Sequence, residues 1–193
     1  MAAAAKYREA LLAASVRLFR QKGYAATGLA EILAESGAPK GSLYHYFPGG
    51  KAEIGAAAVE RAGKTVTRTL QELAAATDGP GDLLAQYLTK MAGWMASSGY
   101  RDGSPITTTL LETVPEHEAI RDAGAVAFAA WAGVLTESAM AAGIPHARAE
   151  RLARFAICAL EGALIQCRVS GDATPLQLAA EELSALYETA RTR

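Results

Sequence analysis

The chain has 193 residues, 51% hydrophobic and 20% charged, with a formal net charge of −1; it is long enough to bury a sizeable core, as one domain or two small ones, and too apolar to be disordered. It holds no run of 18 apolar residues, and its opening MAAAAKYREALLAAS carries Lys6, Arg8 and Glu9 where a secretory leader needs its apolar stretch; the expectation is a cytoplasmic protein with no membrane segment. Cys158 and Cys167 lie nine apart in one helical pattern, on opposite faces, and His45, His117 and His146 are scattered, so neither a disulfide between the two cysteines nor a metal or cofactor site is expected.

Residues 7–22 read as an amphipathic helix, with Leu12, Val16 and Phe19 recurring at i, i+4 and i+7, and Gly23 stops it. Thr27 then offers an N-cap to a second helix whose apolar face is Leu29, Ile32 and Leu33, and Ser36-Gly37 ends it. A third helix runs from Pro39 to Phe47 and is closed by Pro48. Three short helices, the second and third joined by a tight Gly-containing turn, form either a helix-turn-helix or an ordinary small helical corner. In the third helix Leu43 and Phe47 share a face and are expected to pack on Val16, Phe19, Ile32 and Leu33. That leaves Lys40, Gly41, Ser42, Tyr44 and His45 on or near the outside. Gly41 costs a helix about 1 kcal/mol relative to Ala. It is either tolerated in a short helix or required for close approach to a DNA major groove.

Lys51 follows at the start of the next helix, where a cation opposes the macrodipole. Either a phosphate bound at that helix start accounts for it, or Glu53 in the first turn neutralises the end. Longer helices are predicted over 51–76 and 82–98, a short one near 105–113, and then three more over 115–142, 146–169 and 175–191. Each is bounded by Gly, Pro or Ser. No segment alternates with period two, so the fold class is all-α.

Tyr87, Met91 and Trp94 form a spaced stripe on one helix and Phe128 and Trp131 lie three apart on another, with Thr107, Thr108 and Thr109 supplying hydroxyls; such stripes are either core or the wall of an apolar pocket. The helix at 146–169 aligns Leu152, Ala156, Ala159, Leu160, Ala163 and Cys167, and the last helix offers Leu176, Ala180, Leu183 and Tyr187. These faces suit either packing within one protomer or a four-helix interface between two.

Charge divides the chain. Residues 1–51 carry seven Lys/Arg and three Glu, a balance of +4, whereas the rest carry 12 basic and 17 acidic side chains, a balance of −5. A basic front on an acidic rear suits a protein that meets a polyanion at one end. A hydrolase built on Ser104 and His117 fits poorly, since DGSPI is not a nucleophile elbow and no Gly-rich phosphate loop is present.

The run GYAATGLAEILAESGAPKGSLYHYFPGGKAEI, residues 23–54, closely resembles the DNA-binding domain of TetR-family transcriptional repressors, and most of all the subgroup of the lincomycin-resistance repressors of bacilli. The landmarks are FRQKGY at the end of the first helix, Thr27, the Ser36-Gly37 turn, Pro39 to Tyr44, and the Tyr46-Phe47 to Lys51 exit. The resemblance implies a DNA-binding domain over residues 1–50 and a helical ligand-binding and dimerisation domain over 51–193. It implies no enzyme activity. Thr27 would cap the second helix and bond a phosphate; Lys40, Ser42, Tyr44 and His45 would face DNA, Tyr44 mostly through backbone contacts. Gly41 would permit approach and Lys51 would bind a phosphate. Gly28 and Pro39 depart from the commonest family pattern, each removing one hydroxyl. The implied partners are a double-stranded DNA operator, a second copy of the chain docked through the helices near 146–169 and 175–191, and a small mostly apolar inducer. The implied inducer pocket is lined by Tyr87, Met91, Trp94, Thr108, Phe128 and Trp131.

Overall fold

The structure, a computed structural model, describes residues 2–191. Among them it holds nine α-helices and no strand: α1 (Ala2–Lys22), α2 (Leu29–Ser36), α3 (Lys40–Tyr46), α4 (Gly50–Ala76), α5 (Pro80–Ser97), α6 (Pro105–Thr113), α7 (Glu118–Ala141), α8 (His146–Ser170) and α9 (Thr174–Arg191). The all-α class is therefore as the patterning predicts. α1 begins at Ala2 rather than near residue 7, since the alanines ahead of Lys6 are strong helix formers. α7 begins at Glu118 rather than Pro115: Val114 is extended (φ −96°, ψ 136°), the conformation the residue before a proline prefers, which ends α6.

Packing groups the chain into two compact units, one of residues 1–64 with 104–127 and one of 65–103 with 128–193. In the first, α1 packs against α2, α3 and α6. Its core includes Leu11, Phe19, Ile32, Leu43, Phe47 and Ile54, all fully buried. Leu43 and Phe47 thus anchor α3 inward, while Val16 and Leu33, expected in the same contact, are only half-buried.

In the second unit α9 packs on α5 and α8. Leu83, Leu84, Leu88, Leu176, Leu183 and Tyr187 of α5 and α9 are buried in this unit. Ser184 Oγ donates to the Gly81 carbonyl at 3.1 Å, fixing the α5 start on α9. α7 is by length and composition apolar enough to cross a membrane. Its buried residues, among them Ile120, Ala127, Trp131, Leu135 and Ala139, recur at helical spacing, as in a core helix of a globular protein.

Candidate nucleic-acid interface and ligand cleft

The α2–α3 turn depends on Gly37, in the left-handed conformation (φ 63°, ψ 14°) that L side chains disfavour. Ser36 Oγ accepts from the Ala38 N–H at 3.2 Å, and Ala38 is buried beneath the turn. α3 then starts at Lys40, with Pro39 as a cap residue that offers no side-chain hydrogen bond. Its outward face carries Lys40, Gly41, Tyr44 and His45, with Ser42 half-buried at the edge. Tyr44 is 56% exposed, and His45 meets the Tyr46 ring edge-on, centroids 4.7 Å apart. A Cβ built on Gly41 meets nothing within 4 Å. The protein's own packing therefore gives no reason for a glycine there, and the open spot lies in the middle of a polar, ring-bearing face.

At the edges of this face one expectation is corrected, and a second residue has contacts that its sequence context did not show. Thr27 does not cap α2: the cap residue is Gly28, in extended conformation and with no side-chain bond. Thr27 is instead 0% exposed, its hydroxyl donating to the Gly23 carbonyl at 2.7 Å, so it braces the turn from inside and has no surface to offer a phosphate. Lys51 is not a free cation either. Its Nζ donates to the Ala25 carbonyl at 3.2 Å and lies 4.5 Å over the Tyr24 ring. Burial lowers its pKa, partly offset by the carboxylate of Glu112. The helix start beside it is neutralised by Glu53, whose Oε2 accepts from the Gly49 N–H at 2.8 Å.

Glu112 was not singled out by its sequence context. Its Oε2 accepts from the Ala25 N–H at 2.5 Å, and its carboxylate lies so close to Gly23 that a Cβ there would collide with Oε1. The His117 ring lies 6.2 Å from that of Tyr24. The segment feeding α2 is thus held by groups from α4, α6 and the α6–α7 link, 26 to 93 residues away in sequence. Ser104, weighed as a nucleophile, is the cap of α6, accepting from the Thr107 N–H at 3.2 Å.

In the second unit Val66, Leu70, Leu84, Tyr87, Trp131, Leu135, Ala156, Ile157 and Leu160 line an apolar cleft. Its open space is about that of one water molecule, so a larger guest must spread the walls. Tyr87 and Trp131 belong to it. Met91, Trp94, Thr108 and Phe128, expected with them, do not line it. Trp94 is half exposed, and Met91 sits half-buried beyond the cleft. Phe128 packs edge-on against Trp131, centroids 5.2 Å apart. Thr108 belongs to the first unit, its hydroxyl donating to the Ser104 carbonyl at 2.8 Å. Burial raises the Tyr87 pKa well above its ordinary value, helped by Glu161. Among the described residues no group of three or more His, Cys, Asp or Glu could hold a metal ion.

The small-residue stripe of α8 points inward: Leu152, Ala156, Leu160, Ala163 and Cys167 are buried within the protomer, as are Leu176, Leu183 and Tyr187 of α9. A different stripe remains uncovered. Phe155, Cys158, Ile165 and Val169 are exposed, with Gly162 open between them and Leu178 exposed on α9. Their spacing of 3, 4, 3 and 4 is that of a helix-packing seam.

Comparison with known proteins finds relatives of both the N-terminal and the C-terminal part of the chain. Residues 11–58 match the model for bacterial regulatory proteins of the tetR family, and residues 80–182 match that for the C-terminal domain of LmrA/YxaF-like transcriptional regulators. The chain is 36% identical over 181 residues to an uncharacterized HTH-type transcriptional regulator of Mycobacterium tuberculosis, covering 91% of each chain. It is 31% identical over 169 residues to the HTH-type transcriptional regulator LmrA of Bacillus subtilis, covering 88% of this chain and 90% of that one. The crystal structure of the regulatory protein TetR from Rhodobacter sphaeroides aligns with a TM-score of 0.81 at 25% identity, over 92% of this chain and 97% of that one.

Proposed function

Because the chain belongs to the TetR family of transcriptional regulators, in its LmrA/YxaF-like group, we propose that it is a homodimeric repressor that binds a pseudo-palindromic operator and is released by a small, mostly apolar ligand. The family's members are DNA-binding regulators, not enzymes. Residues 1–50 would read DNA in the cytoplasm, and residues 51–193 would bind the ligand and the second copy.

The observation that carries the reading is Gly41. A glycine with open space above it, flanked by Lys40, Ser42, Tyr44 and His45, suits a helix whose backbone must come close to base edges. Lys40 supplies charge for a phosphate, Ser42, Tyr44 and His45 supply hydrogen-bonding groups, and Thr27 and Lys51 brace the helices from behind. The exposed seam of α8, with Leu178 of α9, supports a two-fold pairing that sets two such helices about one DNA turn apart, roughly 34–36 Å.

The cleft with Tyr87 and Trp131 has one phenol hydroxyl and one indole N–H among aliphatic walls, which favours a neutral, mostly apolar ligand. A ligand that prefers a protein shape with mis-spaced reading heads draws the population off the operator. A band-shift series at low salt, with DNA flanking its own gene against unrelated DNA, tests the reading. Selective binding supports it, and no binding overturns it. Thermal stabilisation then screens for the ligand, since one present at 100 times its Kd adds about 2.7 kcal/mol.

A further inference from the structure

The basic front of the chain is not uniformly available to DNA. Each of its three glutamates is engaged: Glu31 with Lys22, Glu9 with Arg61, and Glu35 with Arg17 at 2.5 Å. Those pairs neutralise Arg17 and Lys22, and Lys51 is tied to the Ala25 carbonyl. Arg8 is different. It is exposed on α1, has no carboxylate partner among the described residues, and places its guanidinium carbon 5.5 Å from the centroid of the Phe47 ring.

Phe47 closes α3, its own N–H donating to the Leu43 carbonyl at 2.8 Å, so Arg8 is held at the C-terminal end of the helix whose outward face carries Lys40, Tyr44 and His45. We infer that Arg8 is a further DNA-contacting residue, binding a backbone phosphate at the C-terminal end of the recognition helix; the inference rests on the proposed DNA-binding role of α3. A guanidinium held 5.5 Å from a ring centroid is attracted by the ring's π face, and that contact consumes none of its N–H donors. Two parallel N–H donors match the geometry of a phosphate, which a lysine at the same place would hold only as a point charge. The ring fixes the long side chain in advance, which lowers the entropy lost on binding. The rival account is local: Arg8 covers Phe47 and complements the negative end of the α3 dipole. That account moves stability and leaves DNA electrostatics alone.

The two accounts separate in the salt dependence of operator binding by the full-length protein, followed by fluorescence anisotropy. Arg8→Met keeps an apolar stem on Phe47 and removes the charge. It is expected to flatten the slope of log K against log salt by about 1.8, roughly 0.9 for the one charge lost from each protomer of a dimer. It is also expected to weaken operator and unrelated DNA alike, by roughly tenfold or more. Arg8→Lys is expected to restore the slope. An unchanged slope in Arg8→Met, whatever the thermal midpoint does, overturns the inference and leaves Arg8 as a cover for Phe47. If the unsubstituted protein binds no DNA at low salt, the DNA-binding reading fails and takes the inference with it, an outcome distinct from failure of Arg8 alone.

Discussion

On α3 the uncovered positions are Lys40, Gly41, Tyr44 and His45: a cation, a gap and two rings that carry polar atoms. On α8 they are Phe155, Ile165 and Val169, aliphatic or aromatic with no polar handle, spaced along a helix of 25 residues. Val169 is 84% exposed and Tyr44 56%, so exposure alone does not distinguish the two faces. What distinguishes them is what each can satisfy. The α3 face offers charge and hydrogen-bonding groups and suits a hydrated polyanion, while the α8 face offers only apolar area and suits another apolar helix. α3, with seven residues, is too short to stand alone and is anchored by Leu43 and Phe47; α8 carries its own core stripe on one side and its seam on the other.

The comparison breaks most visibly at Ile165. Ile165→Glu sets a carboxylate in the proposed seam, twice in a symmetric dimer, and unpaired buried charge costs roughly 3–5 kcal/mol. Sedimentation is expected to show the dimer dissociation constant rising by about two orders of magnitude or more, with the helical content kept. A dimer of unchanged affinity places the interface elsewhere. A smaller effect separates two lysines that look alike in sequence. Lys40→Met is expected to flatten the operator salt slope by about 1.8 for a dimer, whereas Lys51→Met is expected to leave the slope and lower stability by about 1 kcal/mol through the lost Ala25 and Tyr24 contacts. Equal slopes in the two variants would erase the distinction between outward and inward cations.

The second unit offers a gentler test through pH. Burial raises the pKa of Tyr87 and Tyr187 above the ordinary value of about 10. The folded state then holds phenol protons that the unfolded chain has released, so their contribution to stability is complete below about pH 10 and declines as pH rises beyond it. Ultraviolet titration should find these two tyrosines ionising only as the chain unfolds; phenolate formation by all the tyrosines with the fold intact would show that they are accessible.

Much of the head was legible because its logic is local. The i, i+4 pair of Leu43 and Phe47 fixes the inward side of α3, and Ser36-Gly37 marks a turn that only a left-handed residue can make. Thr27 was misread because Thr27 and Gly28 are both acceptable caps in sequence; the choice follows from the Gly23 carbonyl that claims the Thr27 hydroxyl. The contacts of Lys51 were out of reach because the macrodipole rule sees only its own helix, while the ring and carbonyl that hold it belong to residues 24 and 25 and the carboxylate to residue 112. On α8 two apolar stripes run side by side. Periodicity displays both without saying which one α5 and α9 cover; the stripe of small residues lies inside because it lets those helices come close. The cleft suffered similarly: Tyr87 and Trp131 turn inward, whereas Trp94, about two turns further along α5 and close to its C-terminal end, is half exposed.

If α3 reads DNA as proposed, its open position at Gly41 serves DNA and not the protein. Gly41→Ala tests it directly, with thermal unfolding and operator affinity measured on the same sample. Nothing within 4 Å obstructs the added methyl group, so the helix should gain about 0.5–1 kcal/mol and the melting temperature should rise by roughly 1–4 °C. Operator affinity should fall by roughly tenfold or more as the methyl group meets the groove. A variant that is more stable and binds the operator as well as the unsubstituted protein would contradict the account.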